Sequence, residues 1–417
     1  MIDWVLIESF TKTLIQEVTV SMKVIVIGGG PAGYEAAMGL RRRGIETVLI
    51  EKNSIGGTCV NSGCIPTRVY LQVIKSAETL IRSGFAKTEL TPKDLRKLAT
   101  GKIQQLVYGM TYMLQKQKVQ LLEAEVSQIE TGKVSLADGT CLMCDEIIVA
   151  TGSEPISAEN FTAEQQFTAE QLLTLENLPK RLDIIGGGVL GVELAVILQS
   201  SGVQITLHEH MPRILPGWDK DISDAMASYL RSLGVQLETN SVSGVFENMV
   251  FCCGRKPKLP LIKGQTAGIH LIGDCKGVHF TADMAAEDGR QVGAAVTGER
   301  TERIKPNIVT AQCIFTPLEA AAAGSICKEG MVESYLSTDM MAGGVIFGTQ
   351  GAFAKAVMEK ETHILKGFHV VSHLASEIIQ IGQAAIAAEM TAEQFLEQVF
   401  PHPTEGELLK EAVRGLL

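Results

Sequence analysis

Cys59 and Cys64, with four residues between them in GGTCVNSGCIPT, are the residues of this chain best placed to do chemistry. Two thiols this close can cycle between dithiol and disulfide, exchanging two electrons, provided one of them ionises and an electron partner lies alongside. Just upstream runs a phosphate-cradling glycine loop, followed by a strand that ends on an acid. Each feature supplies the context that makes the other useful: a redox-active thiol pair beside a dinucleotide.

The elements that must position the pair are legible around it. From Val24 the chain reads VIVIGGGPAGYEAAMGLRRRGIETVLIEK, an apolar run, a glycine turn, a helical stretch and a second apolar run ending at Glu51. That is the pattern of a βαβ unit. Gly28 allows the tight turn, Gly30 lets the backbone approach a pyrophosphate, and Gly33 lets the helix pack closely. The helix N-terminus offers unpaired N–H groups and a positive dipole end, and Glu51 can accept hydrogen bonds from a ribose diol. The pattern returns at LDIIGGGVLGVELAVILQSSGVQITLHEH, with Gly186, Gly188, Gly191 and the acid Glu209. Both copies count 23 positions from first glycine to acid. One fingerprint alone is weak, but two in the same strand–turn–helix context predict two bound dinucleotides.

Composition agrees with a globular α/β protein of two to four domains. The 417 residues are 46% apolar and 20% charged, with mean hydropathy +0.17. A net charge of −10 and a pI near 5.4 exclude a nucleic-acid partner, which would demand clustered Lys and Arg. The dense basic run Arg41–Arg42–Arg43 falls at a predicted helix end before Gly44, where it complements the helix dipole. The apolar stretch Ile2–Phe10 contains Asp3 and Glu8 and is too short to span a bilayer, so no membrane association is expected. Nine scattered cysteines suit a reducing cytoplasm. Cys141 and Cys144 lack a second pair, and His369 and His373 fall on a strand and the start of a helix, so no metal site is expected. Cys252 and Cys253 read as buried strand residues. Helix is predicted from about Val69 to Lys118, strands near Val119–Val126 and Asp145–Ala150, and Asp274 at a strand end. The expected segments are 1–21, without assigned role; 22–151, the first dinucleotide domain; 152–266, the second, shortened; 267–304, a return to the first; and 305–417, a separate C-terminal domain.

The markers GGGPAG, GGTCVNSGCIP, Ala150–Gly152 (ATG), GGGVLGVE, CGRKP, GIHLIGD and HPTEGE occur in this order from Lys23 to Glu407. In them the chain resembles the pyridine nucleotide-disulfide oxidoreductases, and within that family it is most similar to the dihydrolipoyl dehydrogenases. The resemblance implies two Rossmann-like domains, for FAD and NAD, and a C-terminal α+β dimerisation domain. It assigns FAD to Gly28, Gly30, Gly33, Glu51, Thr58, Arg68, Thr151, Gly152 and Asp274, and NAD to Gly186, Gly188, Gly191, Glu193 and Glu209. An acid at Glu209 favours NAD over NADP, because a 2′-phosphate would face a carboxylate. It makes Cys64 the sulfur facing the flavin, Cys59 the one that exchanges with substrate, His402 the base and Glu407 the carboxylate that orients it. In the family that histidine serves the partner subunit, which implies a homodimer. The implied reaction carries electrons from dihydrolipoamide, on a lipoyl-bearing protein or as a small dithiol, through the disulfide and FAD to NAD+.

Three departures from the family pattern carry expectations of their own. Arg68 replaces a lysine that pairs with the glutamate matched by Glu193, and a planar guanidinium is not equivalent. The stretch Gly234–Asp274 is shorter than in the family, which is expected to expose a sheet edge and apolar surface and to weaken NAD binding. Pro401 stiffens the loop before His402. Two alternatives stand beside the leading reading: an NAD(P)H-dependent reductase of another disulfide or of a metal ion, and a flavin-binding remnant serving as a complex subunit.

Overall fold

A computed structural model of the chain describes residues 22–85, 91–156, 161–240, 244–299, 309–338, 341–347 and 351–417. The segment 1–21 and the expected boundary at 304/305 lie outside the described residues. The chain packs as two units, one made of Met1–Gly57, Val107–Ser153 and Lys256–Thr301, the other of Thr58–Leu106, Glu154–Arg255 and Glu302–Leu417.

In the first unit five parallel strands run in the order Ile269–Leu271, Glu146–Val149, Lys23–Ile27, Glu46–Glu51, Gln120–Glu123. The apolar runs of the first βαβ repeat are its centre, and the helix Pro31–Arg42 covers one face through Ala36, Ala37 and Leu40. The other face carries Ile25, Ile27, Val48 and Ile50, which pack on Ile129, Val134 and Leu136. Those last three belong to an antiparallel layer, Val126–Glu130, Lys133–Leu136 and Cys141–Met143. Parallel sheets are stable when both faces are covered.

The second unit repeats the plan: Gln236–Thr239, Gln204–Glu209, Arg181–Ile185, Val245–Phe251, Thr162–Phe167, all parallel. The helix Val189–Ser200 is buried along Val192–Leu198 against Leu182, Ile184, Ile205 and Leu207. In this unit five antiparallel strands, from Ala311–Ile314 to Met331–Ser337, form a further sheet, with the helix Ala375–Ala387 packed on it through Ile378 and Ile379. Helix also occupies Cys64–Arg82 and Pro92–Lys116, as expected between the repeats. Among the described residues no helix is long and apolar enough to cross a membrane.

The two repeats differ where the sequence runs short. The first spends Ala124–Asp145 on the antiparallel layer before its next parallel strand; in the second, the strand Val245–Phe251 begins six positions after Thr239. Aligning the repeats, Ile25, Ile27, Val48 and Ile50 become Asp183, Ile185, Thr206 and His208. Three of the four positions that meet the covering layer are polar in the copy without one. Their counterparts on the helix-covered face, Leu182, Ile184 and Leu207, stay apolar and buried. His208 Nε2 and Asp183 Oδ1 lie 2.8 Å apart, and Phe246 sets its ring edge-on to His208 at 5.3 Å. Ile185 keeps an apolar cluster on this face with Phe246, Met249 and Phe161, and Val245, Leu259 and Leu261 of the shortened stretch are exposed, so the expected apolar surface is present as well as these polar positions. Asp183→Val with His208→Val should create a sticky patch. Sedimentation is expected to show higher oligomers; unchanged size with raised thermal stability would mean the face is buried.

Candidate functional site

Each glycine loop builds a cradle by close backbone approach. A Cβ on Gly33 would stand 1.8 Å from the Gly28 carbonyl oxygen, and one on Gly191 2.0 Å from that of Gly186. Gly28 and Gly186 adopt φ of +103° and +113°, the region that favours glycine. Gly30 and Gly188 are the N-caps of the two helices and have no side-chain cap, which leaves the helix N-termini to a ligand. The acids match as well. Glu51 accepts from Gly29 N–H at 2.7 Å and Asn53 N–H at 2.9 Å; Glu209 accepts from Gly187 N–H at 2.8 Å and Met211 N–H at 2.9 Å. Both cradles therefore fit a dinucleotide. The second cradle matches the first in these contacts. Arg213 turns to the Trp218 carbonyl at 3.2 Å.

Around the first cradle, Ser153 donates to Asp274 Oδ2 at 2.6 Å, in the short 3-10 helix Gly273–Lys276, and Gly152 adopts φ +73°. Thr151 donates to the Lys258 carbonyl. Cys252 is buried, but Cys253 is exposed, beyond the strand that ends at Phe251, which corrects the reading of both as buried strand residues. Its sulfur lies 3.3 Å from the Ile185 carbonyl, against Gly186. Burial of its sulfur, with the nearby Glu209 charge, pushes the Cys253 thiol up to about 11.

Cys59 is the third residue of the helix Gly57–Asn61, which follows the Gly56–Gly57 turn, and Cys64 is the first residue of the helix Cys64–Arg82. Cys59 is half-buried and Cys64 exposed. Thr58 O accepts from Ser62 N–H at 3.0 Å, closing the last turn of the helix that carries Cys59. A Cβ on Gly63 would stand 3.1 Å from that same oxygen, so a side chain there would need the backbone to give by a few tenths of an ångström. At Cys64 the first turn of a long helix favours negative charge.

His402 Nδ1 lies 3.1 and 3.2 Å from the two oxygens of Glu407, which also accepts from Thr404 N–H at 3.0 Å. Those bonds hold the Glu407 carboxyl below the usual carboxylate range. A carboxylate at Nδ1 selects the tautomer with its proton there and leaves Nε2 as the basic nitrogen. The ring is 69% exposed.

Glu193 is buried in the helix Val189–Ser200, and its Oε1 accepts from Phe315 N–H at 2.9 Å. The Arg68 guanidinium lies over the Phe315 ring, 3.8 Å from its centroid, rather than in an ion pair with Glu193. Burial pushes the Glu193 carboxyl up to about 7, against the opposing pull of the Phe315 N–H and Arg68. A raised acid is bound more tightly by protons in the folded state, so ionising it costs stability. The cost is small near pH 5, grows up to pH 7 and levels off at about 3 kcal/mol above it. Glu193→Gln should therefore melt close to the parent at pH 5 and above it at pH 8.5; an equal gap at both would contradict this origin.

The chain matches the family model described as pyridine nucleotide-disulphide oxidoreductase over residues 22–255, and the dimerisation domain of that family over 310–413. It is 28% identical to the dihydrolipoyl dehydrogenase of Mycoplasma genitalium, covering 94% of this chain and 97% of that one. It is 27% identical to one from Bacillus subtilis, covering 94% and 98%. These alignments run to 448 and 456 positions, longer than the 417-residue chain, so the chain carries gaps against both. In fold it is similar to LpdA from Mycobacterium tuberculosis, with TM-score 0.83, 22% identity and coverage of 95% and 100%. It is likewise similar to the HOCl-induced flavoprotein disulfide reductase RclA of Escherichia coli, with TM-score 0.84, 19% identity and coverage of 94% and 99%.

Proposed function

We infer from its membership of the pyridine nucleotide-disulphide oxidoreductase family, to which this chain belongs, that Cys59 and Cys64 are its redox-active pair. It is an FAD-dependent, dihydrolipoyl dehydrogenase-like oxidoreductase that uses NAD and carries the family's dimerisation domain. The substrate is a dihydrolipoyl group, on a carrier protein or as a small dithiol, in the cytoplasm.

The observation that carries the reading is the placement of Cys59 and Cys64 on two successive helices, Cys64 at the N-terminus of the long one, shortly after the strand of the first repeat that ends at Glu51. His402, oriented by Glu407, takes a proton from the substrate dithiol. The thiolate attacks Cys59 and breaks the Cys59–Cys64 bond, giving a mixed disulfide and a thiolate at Cys64. The second substrate sulfur then attacks the first, releasing the oxidised substrate and leaving Cys59 reduced. Bound FAD supplies the two-electron acceptor that returns the pair to the disulfide, with NAD+ as the final acceptor. Gly28, Gly30, Gly33, Glu51, Thr58, Arg68, Thr151, Gly152 and Asp274 hold the FAD. Gly186, Gly188, Gly191, Glu193 and Glu209 hold the NAD, and the Glu209 carboxylate disfavours a 2′-phosphate. His402 works on the partner subunit's thiols, which suits a ring left so exposed in one chain.

Parallel assays of dihydrolipoamide with NAD+ and of glutathione disulfide with NADPH test this. Turnover is expected in the first alone. Turnover in the second alone would move the chain to the reductases of other disulfides, and turnover in neither, with flavin bound, to a non-catalytic subunit.

A further inference from the structure

Three residues beyond His402 lies an acid with an unusual position. Glu405 is 2% exposed although it belongs to the same short loop as the exposed His402. Its Oε2 accepts from Leu374 N–H at 2.8 Å, and the Ser372 hydroxyl and the His373 backbone also hydrogen bond to it. Leu374 is the N-cap of the helix Ala375–Ala387, which has no cap from its own residues. The Glu405 carboxylate thus closes that helix at its positive end. Burial pushes the carboxyl up while these donors and Lys75 draw it down.

The same strand-to-helix corner is gripped from its other side. Lys75, on the helix that begins at Cys64, pairs with the buried Glu319 at 2.8 Å and donates to the His373 carbonyl. Glu319 in turn accepts from Ser376 N–H at 3.0 Å and Ser376 Oγ at 2.7 Å. Residues 372–376 are therefore a joint, held by the thiol-bearing helix on one side and by the His402 loop on the other. A buried acid facing several donors is a costly way to gain stability alone, since an apolar side chain in a loop avoids the desolvation. What it adds is a fixed geometry.

We propose that Glu405 is a positioning residue that fixes the His402–Glu407 pair by anchoring its loop to the joint at residues 372–376. The proposal rests on the reading of His402 as the base and names what holds that base in place. The Thr404 N–H bond to Glu407 orients the pair internally; Glu405 orients the loop against the body of the unit.

The test compares Glu405→Leu and Glu405→Gln with the parent in the full, flavin-loaded chain, by three readouts. Dihydrolipoamide oxidation by NAD+ uses the base; NADH oxidation by ferricyanide does not; the 15N shifts of His402 report its tautomer directly. For Glu405→Leu, kcat with dihydrolipoamide should fall about 10- to 100-fold, a fraction of what a general base supplies. The ferricyanide rate should stay within about 2-fold, the range left when catalysis outside the base is untouched. The His402 shifts should move from the Nδ1–H form to a mixture. Glu405→Gln keeps one acceptor and should show the same changes at smaller size, which decides the matter if the leucine variant folds poorly. Loss of both rates together, or an unchanged tautomer, overturns the proposal. A parent without dihydrolipoamide turnover would refute the functional reading instead, and the His402 shifts would still judge Glu405.

Discussion

Replacing Cys64 with serine should remove dihydrolipoamide turnover while the protein stays yellow. A serine hydroxyl cannot form or break the sulfur–sulfur bond, so no slower version of the same exchange survives. The expected loss is on the order of 10³-fold or more, the size seen when a covalent nucleophile is deleted. Cys59→Ser should lose as much, because the bridge needs both sulfurs. Neither side chain is structurally demanding: Cys64 is exposed and Cys59 half-buried, so melting temperature and flavin content should be little changed. NADH oxidation by ferricyanide should persist in both variants. Steady-state assays with both acceptors check the separation, and parallel loss of both rates would place the cysteines in the fold rather than the chemistry.

The second large effect divides the two cradles. Gly33→Ala places a Cβ 1.8 Å from the Gly28 carbonyl oxygen, and Gly191→Ala places one 2.0 Å from that of Gly186. Each clash is backbone against side chain, with no flexible atom to give way, so the helix must lift off its strand. A displacement costing about 3 kcal/mol in either loop weakens its dinucleotide about 100-fold. Gly33→Ala should purify with little flavin. Gly191→Ala should keep its flavin and pass electrons from dihydrolipoamide to ferricyanide but no longer to NAD+. Visible absorbance and calorimetric titration with NAD+ separate the cases; identical behaviour of the two variants would mean that the repeats do not hold separate nucleotides.

Much of this arrangement was legible because its physics is local. A glycine that needs positive φ, a helix that needs a small residue to sit close, and an acid 23 positions on leave marks in the sequence, and the structure places Glu51 and Glu209 in matching hydrogen-bond sets. The polar residues of Gln204–Glu209 carry a meaning that the sequence alone does not show. Asp183 and His208 reveal a polar face only once the matching strand registers show that they occupy the positions of Ile25 and Ile50 in the first repeat. Glu405 gave no sign of burial, since an acid in HPTEGE looks like any solvated loop residue. Its partners Leu374 and Lys75 lie far off in sequence, and long-range pairing of that kind has no periodicity to betray it. The stacking of Arg68 on Phe315 in place of an ion pair is invisible for the same reason.

The most direct test of the central claim is alkylation of the two sulfurs read by mass spectrometry. In the oxidised protein the peptides bearing Cys59 and Cys64 should take up no iodoacetamide and be linked by a bond. One equivalent of dihydrolipoamide should expose both to labelling, and excess NAD+ should close them again. Equal labelling before and after the dithiol, with turnover proceeding regardless, would contradict the account.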